Sequence, residues 1–191
     1  MRIIGGRLGG LGLAPVGKGD AKAHLRPTTD RVRENLFNLL LGGRFGDPVT
    51  GAQVLDLFAG TGALGIEALS RGADEVHFVE NGNVALRLLR ANIKKAGIRD
   101  VSHIHQLDAT RVPPASHGPA TLVFLDPPYG SDDGATALTL AAERGWIAND
   151  ALIVWEDGRE QAPPPEFSKV DARRYGDTWL TLLTFDDGQG D

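Results

Sequence analysis

Asp126-Pro127-Pro128-Tyr129 follows directly on an apolar run from Thr121 to Leu125 and gathers a carboxylate, a stiffened carbonyl and an aromatic ring into four residues. Two prolines hold such a loop in one shape. The set suits chemistry on an exocyclic amine of a flat base, whose lone pair is delocalised into the ring. Hydrogen bonds to Asp126 and to the Pro127 carbonyl favour a pyramidal nitrogen, and Tyr129 can stack on the ring and fix its plane. Against a methyl donor with a good leaving group, alignment and electrostatics supply the catalysis, and neither a strong base nor a metal is required.

Seventy residues earlier, Val54-Leu55-Asp56-Leu57-Phe58-Ala59-Gly60-Thr61-Gly62-Ala63-Leu64-Gly65 reads as strand, tight turn and helix start. Gly60 and Gly62 let backbone N–H groups approach a ligand at the positive end of the following helix. Gly60, Gly62 and Gly65 satisfy G-x-G-x-x-G, and Glu80 stands 20 residues beyond Gly60, as in a dinucleotide fingerprint. Asp56 argues for another ligand. An anion at the turn repels a pyrophosphate but suits a cationic amine or sulfonium, and S-adenosylmethionine carries both. A dinucleotide-dependent oxidoreductase and a non-catalytic RNA-binding factor are the competing classes.

The elements that must position these loops follow a βαβ rhythm. Apolar runs near Ala52 to Leu57, at Glu75 to Val79, Ser102 to Gln106, Thr121 to Leu125 and Leu152 to Trp155 read as buried parallel strands. Helices are expected at Arg31 to Leu41, Ala63 to Arg71, Asn83 to Lys95 and Gly134 to Arg144. Pro113-Pro114 and Gly118-Pro119 leave room for only a brief third crossover helix, and Phe167 to Tyr175 with Thr178 to Phe185 form a closing antiparallel hairpin. Trp155 and Trp179 are assigned to the core, and Pro163-Pro164-Pro165 to a stiff surface loop.

In an open α/β sheet, ligands sit beyond the carboxyl ends of the strands. Asp56, Glu80, Asp108 and Asp126 all end strands. Glu80 can accept from ribose hydroxyls and Asp108 from an adenine amine. His103 and His105 share a strand face at metal-like spacing, but no third ligand is evident, and no metal is expected.

The chain has 191 residues, 41% of them hydrophobic, which accommodates one well-packed catalytic domain with an extension. Without cysteine it has no disulfide, thiolate metal site or cysteine nucleophile. No apolar run reaches the length of a membrane span, and glycines and an arginine break the apolar start, so a cytoplasmic protein is expected. Net charge is −5, yet residues 1 to 33 carry +5 and the remainder −10. A basic arm on an acidic body fits a local phosphate-backbone contact through Arg2, Arg7, Lys18, Lys22, Arg26, Arg31 and Arg33.

Asp56-Leu57-Phe58-Ala59-Gly60-Thr61-Gly62 together with Asp126-Pro127-Pro128-Tyr129 resembles the class I S-adenosylmethionine-dependent amino-methyltransferases. The fuller pattern resembles the RsmD family, which modifies a guanine N2 in small-subunit (16S) ribosomal RNA. It includes Met1-Arg2-Ile3-Ile4-Gly5-Gly6, Arg26-Pro27-Thr28-Thr29-Asp30-Arg31-Val32-Arg33-Glu34, Gly62 through Ala73, and Val123 through Tyr129, over roughly residues 1 to 157. Glu80-Asn81-Gly82 lacks the second acid that the family pattern carries there, and residues 163 to 185 match weakly.

The resemblance implies a Rossmann-like class I methyltransferase fold: a seven-stranded, mostly parallel sheet with a C-terminal antiparallel hairpin and a small N-terminal hairpin or arm. It implies an arm over residues 1–28, a catalytic domain over 29–186 and a frayed tail over 187–191. The implied cofactor set is Asp56, Phe58, Ala59, Gly60, Thr61, Gly62, Glu80, Asn81, Asp108 and Ala109; Gly60 to Gly62 hold the methionine end, Glu80 the ribose, and Asp108 with Ala109 the adenine. Asp126, Pro127 and Tyr129 hold the guanine. A monomer acting on ribosomal RNA or the assembled small subunit, with no membrane partner, is expected.

Overall fold

The computed structural model describes residues 1–15, 29–128 and 130–188. Strands β1 (Gln53–Leu57), β2 (Glu75–Val79), β3 (Ser102–His105), β4 (Ala120–Leu125), β5 (Ile147–Asp157), β6 (Phe167–Tyr175) and β7 (Thr178–Phe185) form one sheet. Their order is β3-β2-β1-β4-β5-β7-β6, parallel from β3 to β5, with β7 antiparallel to both its neighbours. Helices are α1 (Asp30–Leu41), α2 (Ala63–Ser70), α3 (Asn83–Ala96) and α4 (Asp133–Glu143). This is the expected architecture, with the closing hairpin at the expected bounds.

Local chemistry explains the ends. Thr29 caps α1, its hydroxyl accepting the Val32 N–H at 3.2 Å, and Val32, Leu36, Phe37 and Leu40 recur at helical spacing on the buried side. The strands alternate between two cores. Val54, Leu122, Phe124 and Val154 face one core with α1, α2 and α3; Leu55, Leu57, Val123, Leu125, Ile153 and Trp155 face the other with α4. Three helices thus serve one face and one serves the second. The third crossover is a single 3-10 turn, Ala109–Arg111, because the prolines after it supply no helical N–H.

Two readings change. β5 starts at Ile147, not Leu152: polar Asn149 and Asp150 hide its first half, and pairing with β4 is irregular there. Trp179 is half-buried, whereas Trp146 is a core residue. The first 15 residues fold back on themselves and dock on the body. Ile3 and Leu13 lie in the first core, Ile3 and Leu11 pair through a backbone bond of 2.9 Å, and the Ile4 and Gly5 N–H groups donate to Glu67 of α2 at 2.7 and 2.9 Å. Residues 16–28 lie outside the described residues.

Candidate active site

The turn after β1 is wired through buried polar groups. Gly62 (φ 78°) begins α2, where any side chain is strained by the positive φ and a Cβ, 2.4 Å from Leu89 Cδ1, would push that side chain aside. Phe58 also has positive φ, 61°, a conformation that costs a bulky residue free energy and that the surrounding bonds maintain. Glu80 provides two of them: one oxygen accepts the Gly60 N–H at 2.8 Å, the other the Gly82 N–H at 2.6 Å. Fully buried Asn92 on α3 donates to the Thr61 carbonyl at 2.9 Å and accepts from Ala14 N–H at 2.7 Å. The turn, α3 and the docked N-terminus are therefore one hydrogen-bonded unit.

Asp56 departs from expectation. Its side chain is buried, and one oxygen accepts the Gly65 N–H at 3.0 Å. Burial pushes its carboxyl up to about 8, against the Gly65 hydrogen bond and with help from the Glu80 charge. Near neutral pH this burial favours its protonated form. Asp108, by contrast, is held below the usual carboxylate value by hydrogen bonds from Thr110, whose hydroxyl and N–H lie at 2.7 and 2.9 Å. Ala109 is buried beside it, and Asn81 is exposed.

The register pairs Leu57 with Leu125 on adjacent strands. Phe58 and Asp126 are each one residue further on, so both loops leave the same rim, about one strand spacing, ~4.8 Å, apart. Pro127 is buried and Pro128 exposed; the Pro128 carbonyl accepts the Ser131 hydroxyl at 2.9 Å. Beneath the loop, Gly134 of α4 meets the Trp155 ring, where a Cβ would come within 2.4 Å of Cζ2 and 3.0 Å of Pro127 Cγ. The Trp155 indole N–H is buried with no acceptor among the described residues. Tyr129 lies outside them. A cleft of about 370 Å³ lined by Asp47, Thr121 and Asp150 opens at the opposite, amino ends of the strands, away from this chemistry.

Of the seven basic candidates, Arg2, Arg7 and Arg31 are exposed, and Lys18, Lys22 and Arg26 lie outside the described residues. Arg33 is a correction. It is fully buried, 2.8 Å from Asp30 and 3.7 Å from Glu67, and it donates to the Arg2 carbonyl. It holds the N-terminus against α1 and α2 and has no surface to offer a phosphate.

Sequence reasoning missed Glu67, Asn92 and Gly134, whose partners are remote in the chain, while Trp155 lies in the core as expected. Sequence reasoning also singled out His103 and His105 but missed His77 and His117, which join them in a histidine group. Register aligns His77 with His103 and Val79 with His105, all on the second-core face, and His117 stacks on His77 at 3.7 Å between ring centroids. His77 lies one strand over from His103, and the strand pairing was the signal that could have found it. Burial pushes His77 down and His105 down to about 4, with the neighbouring rings adding to the effect.

A strand order reversing between β1 and β4, a glycine turn wired to an acid at the end of the next strand, and a proline loop beside it define a class I methyltransferase. The family model described as conserved hypothetical protein 95 matches residues 1–184. The ribosomal RNA small subunit methyltransferase D of Escherichia coli is 39% identical over 167 residues, covering 86% of this chain and 78% of that protein. This chain belongs to that family, the RsmD family. An Escherichia coli candidate methyltransferase of solved structure, yhhF, superposes with a TM-score of 0.80 at 33% identity, covering 97% of this chain and 98% of that one. An RNA methyltransferase from Salinibacter ruber, solved with S-adenosyl-L-homocysteine, shares the fold at 19% identity, with a TM-score of 0.63 over 84% of this chain and 94% of that one.

Proposed function

We propose that this chain methylates the exocyclic N2 of a guanine in small-subunit ribosomal RNA, with S-adenosylmethionine as donor. The observation that carries the reading is the Leu57–Leu125 register, which sets the glycine turn and the Asp126 loop side by side at one rim. Family membership supports RNA as the target.

The donor set fits the cofactor. Each Glu80 oxygen accepts one backbone N–H and keeps a lone pair for a ribose hydroxyl. A nearby cation would favour the ionised form of the buried Asp56 carboxyl. S-adenosylmethionine, when bound, would supply an electrophilic methyl group whose passage to N2 releases the neutral thioether S-adenosylhomocysteine. Asp126 and the Pro127 carbonyl accept the N2 hydrogens and aim the nitrogen lone pair, while Tyr129 covers the base. The proton then lost from nitrogen passes to Asp126 or water. Asp108 and Ala109 border the adenine, with Asn81 at the outer edge; Phe58, Ala59 and Thr61 complete the turn.

Arg2, Arg7 and Arg31 offer exposed positive charge for the RNA backbone. Methyl transfer by this set needs no metal. The chain works as a monomer in the cytoplasm; no helix among the described residues is long and apolar enough to cross a membrane.

Labelled methyl donor, incubated with small ribosomal subunits and with naked ribosomal RNA lacking the modification, tests the reading. Nuclease digestion and mass spectrometry should find N2-methylguanine at one position. Label on DNA adenine, or none on RNA under conditions where the donor binds, overturns it.

A further inference from the structure

We propose that His77, His105 and His117 form a site for a zinc-class divalent cation, which pins the loop before β4 to the open edge of the sheet. The three come from separate elements, β2, β3 and the 112–119 loop, and offer one ligand nitrogen each within 4.8 Å of the others. Nitrogens bound to one tetrahedral zinc stand roughly 3.4 Å apart. His77 Nδ1 and His105 Nε2 are already 2.9 Å apart.

Two of the outward nitrogens are committed, those of His117 and His77. His117 Nδ1 lies 2.8 Å from the Gly118 carbonyl, which can only accept, so Nδ1 carries the proton and Nε2 the lone pair. That Nε2 is buried with no partner among the described residues. Such an orphan calls for an explanation. His77 Nε2 faces the Glu75 carboxylate at 3.3 Å, which places its proton there and leaves Nδ1 as the inward lone pair. A carbonyl behind one ring and a carboxylate behind another are the outer supports that metal-ligating histidines use. Binding requires that His105 move its proton to Nδ1, that the His77–His105 hydrogen bond open from 2.9 Å, and that His117 rotate out of its stack on His77.

The location gives the cation a structural task. Where the third crossover would lay a helix over β2 and β3, this chain has one 3-10 turn and a proline-rich loop. A cation held by β2, β3 and that loop would tie down the strands three residues before Glu80 and Asp108. It lies outside the methyl-transfer chemistry and does not depend on that reading.

The test uses the full, tag-free chain after chelator treatment. Added Zn²⁺ should raise the melting temperature by several degrees. One equivalent of Co²⁺ should give the visible bands of a tetrahedral site and quench Trp146, whose ring centroid lies 4.6 Å from His117 and 5.0 Å from His105. His117→Ala and His105→Ala should each weaken Co²⁺ binding on the order of 10–100-fold. His103→Ala should change it by no more than a few fold. His117→Gln is the second variant should the alanine form not fold. No Zn²⁺ shift, or equal binding by wild type and the His117 and His105 variants, overturns the proposal.

Discussion

The two loops at the active rim are held by opposite means. The glycine turn is fixed by polar contacts: Glu80 takes two backbone N–H groups, Asp56 a third, and Asn92 supports the Thr61 carbonyl. The Asp126 loop is shaped by sterics, with two prolines, the Gly134–Trp155 contact and one serine turn beneath it. A turn for a constant ligand can be prebuilt with dedicated hydrogen bonds. A loop stiffened by proline rings relies less on backbone hydrogen bonds to keep its shape.

The largest effect that separates the loops is expected from Asp126→Ala. Methyl transfer should fall roughly 10²–10³-fold or more, while donor affinity stays within a few fold by calorimetry. Equal losses in both would show that the loops are one unit.

Next comes a contrast in stability. Gly62→Ala places a methyl 2.4 Å from Leu89 at positive φ and should cost about 1–3 kcal/mol, with weakened donor binding. Pro128→Ala, at an exposed position, should cost under about 1 kcal/mol, mainly through unfolded-chain entropy. Thermal melts of the pair decide it, and a larger loss for Pro128→Ala would reverse the comparison.

A smaller effect follows from Asp56, whose carboxyl is raised from 3.8 to about 8. An acid raised in the fold ionises first in the unfolded chain. Its contribution therefore opposes folding increasingly as pH climbs from about 4 to about 8, then levels off. Asp56→Asn should remove that slope from a melting-temperature profile. Wild-type affinity for the cationic donor should rise severalfold with pH below about 8 and flatten in the variant. Parallel profiles for the two proteins would sink this role.

The smallest change belongs to the RNA-facing surface. Replacing Arg2 and Arg7 with Gln should reduce the slope of log affinity against log salt by about 1.4–1.8 and leave donor binding alone. An unchanged slope would move the RNA contact elsewhere.

The architecture was legible because strand and helix periods are local. β6 and β7 needed only alternation and the Gly176-Asp177 turn, and the glycine turn and proline loop announced themselves by spelling. β5 was half-hidden because Asn149 and Asp150 interrupt its apolar run, and pairing with β4 carries the strand through them.

Residue order by itself determined the parallel sheet, its closing hairpin and the candidate residues at its strand ends, since each depends on patterns within a dozen positions. Only tertiary structure decided which charges meet water. Arg33 went inward to Asp30 and Glu67, burial pushed the Asp56 carboxyl upward, and four histidines scattered along the chain became neighbours. Burial and ionisation are set by what packs against a group, and those partners lie up to tens of residues away.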